Sequence, residues 1–281
     1  MTSADAVASA FEQAGLDPAA FDYAPKPGPP TGLRSFLGTD SVLTVAVDDE
    51  GRRQNVVEAA CRAWAAPHGV GCPVVLAAGP AGEWLHAERV RTGRPEGAEY
   101  VHAALDAADT IAGLEPPVLS VAPSQWRPAR SARLLSAARG TLGGLDVPRF
   151  LRARRAASEL ADRTTSHGDY YRRNVLAVPG TGVSVVDWEF VGRAPRWTDH
   201  VRLWSTLRRP EDRREAWART SGAAGADGEE HLLTLAGWLA LRLLAENLAA
   251  PRRQRDREDL AHARTLVVEA RALTDGRRPG P

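Results

Sequence analysis

Lysine is almost absent from this sequence of 281 residues, since Lys26 is the only lysine among 36 basic residues. Any chemical role that demands a lysine therefore has a single candidate. The net charge is only +1, and the arginines are interspersed with acids. A surface that binds nucleic acid or adsorbs to a membrane needs a concentrated basic patch, so we expect neither as a partner.

Cysteine is also scarce, and its spacing excludes two kinds of site. Cys61 and Cys72 are too far apart for a C-x-x-C redox motif, and none of the 7 histidines pairs with another ligand at zinc-like spacing. We expect two reduced thiols and no zinc. Residues 1–15 lack the basic segment and the continuous apolar segment of a secretion signal, which predicts a cytoplasmic protein.

Long hydrophobic runs are represented by one stretch, residues 231–249. Arg242 and Glu246 lie within it on one helical face, and two charges in so short a span are costly in lipid. We therefore predict a buried helix of a globular protein. The composition, with 43% hydrophobic and 25% charged residues, is typical of that class.

The segment of residues 166–204 contains polar groups at spacings that suit phosphoryl transfer. Asp169 follows a His-Gly pair, Asn174 ends the same loop, and Asp187 ends the second of two apolar runs. These runs flank a Pro-Gly turn and predict a β-hairpin: residues 175–178 and 183–186. The hairpin would bring Asn174 and Asp187 together.

Transfer of a γ-phosphoryl group depends mainly on positioning and on neutralisation of charge. A carboxylate must meet the acceptor hydroxyl, and Mg²⁺ prefers a few hard oxygen ligands from the protein. Asp169 therefore suits the role of catalytic base. The amide oxygen of Asn174 and the carboxylate of Asp187 suit a metal site.

The string HGDYYRRN, followed by Asp187-Trp188-Glu189, resembles the H-G-D-x-x-x-x-N loop and D-x-E/D metal motif of the aminoglycoside phosphotransferase and choline kinase-like family. The resemblance implies a kinase that uses ATP or GTP with Mg²⁺. It assigns catalysis to Asp169 on a loop braced by His167, with Glu189 near a second metal position. Asp199 matches a further acid of the family, which we expect to brace the same loop.

The N-terminal third resembles the small lobe of the kinase-like fold. Its predicted elements, in order, are strands at residues 33–37 and 42–47, a helix at 54–65, and strands at 73–78 and 83–90. Glu58 then matches the family's helix glutamate. Residues 88–93 match the hinge that lies against adenine, which makes Glu88 a candidate nucleotide contact.

One family feature is missing, because residues 42–47 carry no cation to grip the nucleotide phosphates. The nearby cations do not occupy the family position: Lys26, Arg34, Arg52 and Arg53. We hypothesise that one of Arg172 and Arg173 reaches the γ-phosphate instead. The alternative is that both are solvated loop arginines.

The remaining pattern is mainly helical and completes an α+β, two-lobed protein kinase-like fold with a small, reduced N-lobe. We divide the chain into an N-lobe of residues 1–93 and a helical C-lobe of residues 94–281, which holds the catalytic loop and the metal site. Predicted helices outside the segments described above cover residues 2–14, 99–114, 131–139, 148–162 and 256–273.

The predicted function is ATP- or GTP-dependent and Mg²⁺-dependent phosphorylation of a hydroxylated small molecule, with antibiotic resistance among the family's roles. The sequence leaves open the acceptor and the choice between monomer and homodimer. A pseudokinase that binds partners without nucleotide is the alternative, favoured by the missing strand cation. A protein kinase is disfavoured because no A-P-E segment follows Asp187.

Overall fold

The computed structural model describes residues 2–24, 32–117, 146–180, 182–249 and 257–276. They form two compact units. The N-terminal unit holds the described residues up to Pro95, Pro117 and Asn174–Glu189, and the C-terminal unit holds the remainder. The helix predicted at residues 131–139 and the residue Lys26 lie outside the described residues.

A five-stranded antiparallel sheet with strand order β1-β2-β3-β5-β4 is the framework of the N-terminal unit. The strands are β1 Asp22–Ala24, β2 Leu33–Leu37, β3 Ser41–Ala46, β4 Val75–Ala78 and β5 Trp84–Glu88. Alternation along β3 directs Leu43 and Val45 into a core with Trp84 and Phe11. The four predicted strands are present, although β4 and β5 are shorter than expected, and β1 was not predicted.

Two helices accompany this sheet: α1 Ser3–Ala14 and α2 Asp49–Ala65. Helix α2 starts earlier than the predicted residue 54, because the Asp48 carboxylate caps it by accepting a hydrogen bond from the Gly51 N–H at 2.7 Å. Its buried face is narrow. Val57 and Cys61 are buried, whereas Val56 is 40% exposed.

The predicted hairpin is present in the N-terminal unit as β7 Val175–Val178 and β8 Gly182–Val185. Val175 pairs with Val185, and both side chains are fully buried. Beyond the last pair, the Val186 N–H donates to the Asn174 carbonyl at 2.9 Å. This bond joins the backbone at the two ends of the hairpin.

The C-terminal unit is mainly helical, as predicted. Its helices are α3 Ala98–Gly113, α4 Val147–Glu159, α5 Thr198–Trp204, α6 Pro210–Ala249 and α7 Arg257–Thr274. Trp238 of α6 packs edge-on against Phe150 of α4, with ring centroids 5.0 Å apart. Helix α6 is interrupted at Gly225, where φ is 64° and ψ is −171°.

Helix α6 contains the apolar stretch noted in the sequence. Within the described ranges it is the one helix long and apolar enough to cross a membrane, and 61% of its most apolar window is buried inside the protein. The Arg242 guanidinium is buried and lies 2.8 Å from the Glu246 carboxylate. This burial agrees with the predicted core helix.

A two-stranded ribbon in the C-terminal unit was not predicted. It pairs β6 Arg163–Ser166 with β9 Gly192–Pro195 in antiparallel register. Both strands are short and carry no apolar alternation, so their pairing depends on tertiary context. Strand β6 leads directly into the predicted catalytic loop. A small antiparallel sheet and a mainly helical unit together give the predicted α+β class.

Candidate active site

The loop after β6 is braced by one buried acid, Asp199 of α5. Its carboxylate accepts hydrogen bonds from the Ser166 hydroxyl and the His167 N–H, both at 2.7 Å. Burial raises the pKa of Asp199, while the electrostatic interaction with His167 and the hydrogen bond from Ser166 oppose this rise. Asp199 therefore has the bracing arrangement expected from the sequence.

Gly168 is required by the backbone of this loop. Its φ is +83°, a region that residues with a side chain rarely adopt. A Cβ at this position would also overlap the Phe190 carbonyl group, with the carbonyl carbon only 2.8 Å away. The glycine of the H-G-D motif thus permits a close approach of two backbone segments.

The fully buried side chains of His167 and Tyr170 fix the loop on either side of Asp169. The Asp169 N–H donates to His167 Nδ1 at 3.3 Å, and the Tyr170 hydroxyl donates to the Ala104 carbonyl of α3 at 2.5 Å. Burial raises the pKa of Tyr170 well above its usual value, so the hydroxyl stays protonated as a donor. His167 therefore supports the loop rather than lining a cavity.

Asp169 borders a cavity of ≈ 260 Å³ in the C-terminal unit, together with Arg172 and Arg173. Its side chain is 17% exposed and lies 3.5 Å from the buried guanidinium of Arg202, which is also 3.7 Å from Glu246. Burial lowers the pKa of Arg202, but the charges of Glu246 and Asp169 outweigh that effect and raise it. A permanently charged arginine thus faces the candidate base.

Arg172 is anchored to the floor of this cavity by its backbone, because its N–H donates to the Thr206 hydroxyl at 3.1 Å. Arg172 is half-buried, whereas Arg173 is exposed. The structure therefore brings Asp169, Arg172 and Arg173 to one cavity.

The candidate metal ligands Asn174 and Asp187 belong to the N-terminal unit, at the two ends of the hairpin. Asp187 has a left-handed φ of 65°. The Glu58 carboxylate holds this turn by accepting hydrogen bonds from the N–H groups of Asp187 at 3.2 Å and Trp188 at 2.5 Å. Glu58 from α2 therefore sets the backbone conformation at the end of the hairpin.

An amide oxygen and a carboxylate are hard donors of the kind that Mg²⁺ uses. Asn174 and Asp187 thus fit a magnesium ion that takes its other ligands from phosphate and water. Among the described residues there is no group of three or more His, Cys, Asp or Glu side chains arranged to hold a metal. Glu189 borders the same small cavity of ≈ 130 Å³ as Asp187 and Glu58.

A second cavity of the N-terminal unit, of ≈ 230 Å³, has the apolar walls that a nucleobase requires. The sheet contributes Val42 and Leu85, and the hairpin contributes Leu176 and Val186. Glu88, the candidate nucleotide contact, also borders this cavity. Glu88 also borders a larger cavity of ≈ 750 Å³, whereas Asp187, Glu58 and Glu189 border the smallest of these three cavities.

Arg62 borders both of these cavities and was missed by the sequence analysis. It lies one helical turn after Glu58 in α2, and its guanidinium binds the Glu58 carboxylate at 2.7 Å. It lies in the helix that follows β3, whereas the family position for the cation is on the strand itself. The i,i+4 spacing of a glutamate and an arginine in a predicted helix was the available signal.

The sequence model of the phosphotransferase enzyme family matches residues 33–244. A search of curated proteins found no match. Solved structures share the fold at low sequence identity. A choline/ethanolamine kinase family protein from Mesorhizobium loti has a TM-score of 0.63 and 18% identity, with coverage of 98% of this chain and 95% of that one.

Two further solved structures match this chain with similar TM-scores and coverage. The macrolide 2'-phosphotransferase MphH from Brachybacterium faecium has a TM-score of 0.60 and 15% identity, covering 95% of this chain and 97% of that one. The amicoumacin kinase hAmiN has a TM-score of 0.65 and 11% identity, covering 98% and 95% respectively. The chain belongs to the phosphotransferase enzyme family and, by that membership, is a small-molecule phosphotransferase with a protein kinase-like fold.

Proposed function

We propose that this protein transfers the γ-phosphoryl group of ATP or GTP to the hydroxyl of a small molecule in the cytoplasm, with Asp169 as catalytic base. The observation that carries the proposal is the position of Asp169. Its carboxylate borders a cavity large enough for part of a small molecule, lies 3.5 Å from Arg202, and sits on a loop braced by buried Asp199.

On the acceptor side, Asp169 orients the hydroxyl and takes its proton. The hydroxyl oxygen then bonds to the γ-phosphorus, and the bond from that phosphorus to the β–γ bridging oxygen breaks. Arg202 holds the carboxylate in place. His167 and Tyr170 keep the loop from shifting, since a displacement of about 1 Å in such a site can lower the rate about 100-fold.

On the nucleotide side, Asn174 and Asp187 would hold Mg²⁺, and Glu189 would approach a second metal position. When bound, Mg²⁺ supplies charge neutralisation to the phosphate oxygens. Glu88 and the apolar cavity would receive the base, while Glu58 fixes the turn that carries Asp187. Of the two loop arginines, we assign the γ-phosphate contact to Arg173, which is exposed and precedes Asn174 directly.

The enzyme is of the aminoglycoside phosphotransferase type in its catalytic motifs, and its acceptor is a hydroxylated small molecule. Related folds occur in a macrolide phosphotransferase and an amicoumacin kinase, which supports antibiotic resistance as a candidate role. We retain the proposed lobe boundary near residue 94, but assign the hairpin that carries Asn174 and Asp187 to the N-terminal unit instead of the C-lobe. A homodimer remains an alternative to a monomer.

The test of this function is calorimetric titration with ATP and GTP, with and without Mg²⁺, followed by measurement of nucleoside diphosphate release. Asp187→Ala should abolish the metal-dependent part of binding, whereas Asp22→Ala, an exposed acid of β1, should not. Asp169→Asn should retain nucleotide binding and lose turnover. Binding of neither nucleotide at millimolar concentration would refute the enzyme and favour the pseudokinase alternative.

A further inference from the structure

The charged residues that line the cavity beside Asp169 do not suit a cationic antibiotic. Four arginines and three acids border it, and each acid already lies near an arginine. Arg208 forms an ion pair with Asp259, and Arg202 lies within 3.7 Å of Glu246 as well as near Asp169. A polycationic acceptor would have to compete with these built-in cations for every carboxylate.

Hydrogen-bond donors, by contrast, remain uncommitted at this cavity. Nη1 of Arg202 is buried without a hydrogen-bond partner in the part of the chain that the structure describes. Arg172 and Arg173 form no ion pair with any described residue. A buried polar nitrogen without an acceptor is costly, and an incoming oxyanion would relieve that cost.

The neighbouring histidine adds no charge that would change this balance. Burial lowers the pKa of His262 to about 4, so the imidazole is neutral at pH 7. The lining therefore has one more fixed positive charge than negative charges. An oxyanion suits it better than an ammonium group.

We propose that the acceptor carries an oxyanion, a carboxylate or a phosphate, near the hydroxyl that is phosphorylated, and that Arg172 and Arg202 bind it. This rests on the proposed function in taking the cavity at Asp169 as the acceptor site. Guanidinium groups bind carboxylate and phosphate through paired charge-assisted hydrogen bonds. Two of them at one cavity would select hydroxy acids or phosphorylated alcohols over neutral and cationic alcohols.

The test measures binding without turnover, by saturation-transfer NMR at one salt concentration with five probes: glycerate, glycerol 3-phosphate, glycerol, choline and kanamycin. Glycerate or glycerol 3-phosphate should give a signal, and the stronger of the two identifies the oxyanion. Arg172→Gln should weaken that signal at least about fivefold, whereas Arg152→Gln, an exposed arginine of α4, should leave it unchanged. Arg202→Lys, which keeps the charge but loses the planar fork, is a second variant.

Preferential binding of kanamycin or choline, or no binding of either anionic probe at 10 mM (roughly the range of weak fragment affinities), would overturn the proposal. Because this readout needs no nucleotide, it separates two failures. Loss of Mg²⁺-dependent nucleotide binding would refute the kinase function while leaving the anion site measurable. Equal effects of Arg172→Gln and Arg152→Gln would refute the anion site alone.

An independent observation in the N-terminal unit concerns the cation missing from β3. Thr44 of β3 borders the same two cavities as Arg62, and Asn55 and Glu58 complete the polar wall of the smaller one. The Arg62 side chain is only 12% exposed. Its Nε and Nη2 atoms bind Glu58, while its Nη1 is buried without a partner among the described residues.

We infer that Arg62 supplies the phosphate-binding cation that β3 lacks, and that the short side chain of Thr44 leaves room for the Arg62 guanidinium. This inference also rests on the proposed nucleotide-dependent function. The unpartnered nitrogen is the donor available to a phosphate oxygen of the nucleotide. Glu58 holds the rest of the guanidinium, so little side-chain freedom is lost when the phosphate binds.

The test compares the affinities of ATP and adenosine by calorimetry. Arg62→Gln should weaken the affinity for ATP at least about tenfold and leave the affinity for adenosine unchanged, because only ATP carries the phosphates. Adding Thr44→Lys to that variant should restore part of the ATP affinity, which a merely misfolded protein would not do. Unchanged ATP affinity with intact adenosine binding would overturn the assignment, and a wild-type protein that binds neither compound would instead refute the kinase function.

Discussion

Replacement of Gly168 by alanine tests whether the close backbone approach beside Asp169 is needed for the fold and for catalysis. A left-handed alanine costs about 1–2 kcal/mol. The new Cβ would also lie 3.0 Å from the Phe190 Cβ and closer still to its carbonyl group, and relief of such overpacking costs about 1–3 kcal/mol. We expect the free energy of unfolding to fall by about 2–5 kcal/mol in total.

Gly180→Ala is the matched control, because Gly180 has a φ of +77° with nothing within 4 Å of its added Cβ. It should cost only the conformational part, about 1–2 kcal/mol. Urea unfolding followed by tryptophan fluorescence gives both values. If the loop must shift by about 1 Å, nucleoside diphosphate release by Gly168→Ala should fall about 100-fold. Equal stabilities of the two variants, with Gly168→Ala fully active, would refute the argument.

Three further outcomes are expected. Burial lowers the pKa of His262 to about 4, so its neutral form stabilises the fold above pH 6.5, and this contribution declines as the pH falls toward 4. Urea unfolding should therefore show a free energy of unfolding that is roughly 1–2 kcal/mol lower at pH 5 than at pH 7.5, and His262→Gln should lack this difference. Partial or full burial raises the thiol pKa values of Cys72 and Cys61 to about 12, so the native protein at pH 8 should react with iodoacetamide far more slowly than the urea-unfolded protein, and rapid native labelling would contradict the raised pKa values. Arg242→Ala removes a fully buried side chain and its ion pair with Glu246, and should lower the unfolding free energy by about 2–5 kcal/mol, whereas Arg155→Ala, at an ion pair whose arginine is 82% exposed, should change it by less than about 1 kcal/mol; similar values would contradict the assigned burial.

The features predicted well from the sequence are those set by short-range spacing. The β-hairpin follows from two apolar runs and a turn of proline and glycine, and the paired ends of a hairpin are close in any fold. Gly168 and Asp199 were found through a motif, although the buried hydrogen bonds that explain them appear only in three dimensions. Thus the sequence predicted which residues of the candidate site lie close together along the chain, but it did not predict the tertiary contacts that hold each of them in place.

The features that were missed depend on partners distant in the chain. Strands β6 and β9 contain too little apolar alternation to indicate a ribbon before their pairing is known. The start of helix α2 was placed too late because its first turn, rich in charge and glycine, resembles a loop until the Asp48 cap is recognised. The roles of such residues are fixed by packing and capping rather than by local propensity.

The position of Arg62 gives the proposed nucleotide site a different assembly from one that uses a strand lysine. A strand lysine can meet a helix glutamate only when the helix docks on the sheet, whereas Glu58 and Arg62 are one turn apart in α2 and can pair within the helix itself. The same glutamate also accepts the N–H groups of Asp187 and Trp188, so one carboxylate orients both the candidate cation and the turn of the candidate metal ligand. Glu58→Gln would retain hydrogen-bonding groups but lose the charge that holds Arg62. Because this carboxylate positions both groups, Glu58→Gln should weaken the binding of ATP and of Mg²⁺ together. Arg62→Gln should weaken the binding of ATP whether or not the metal is present.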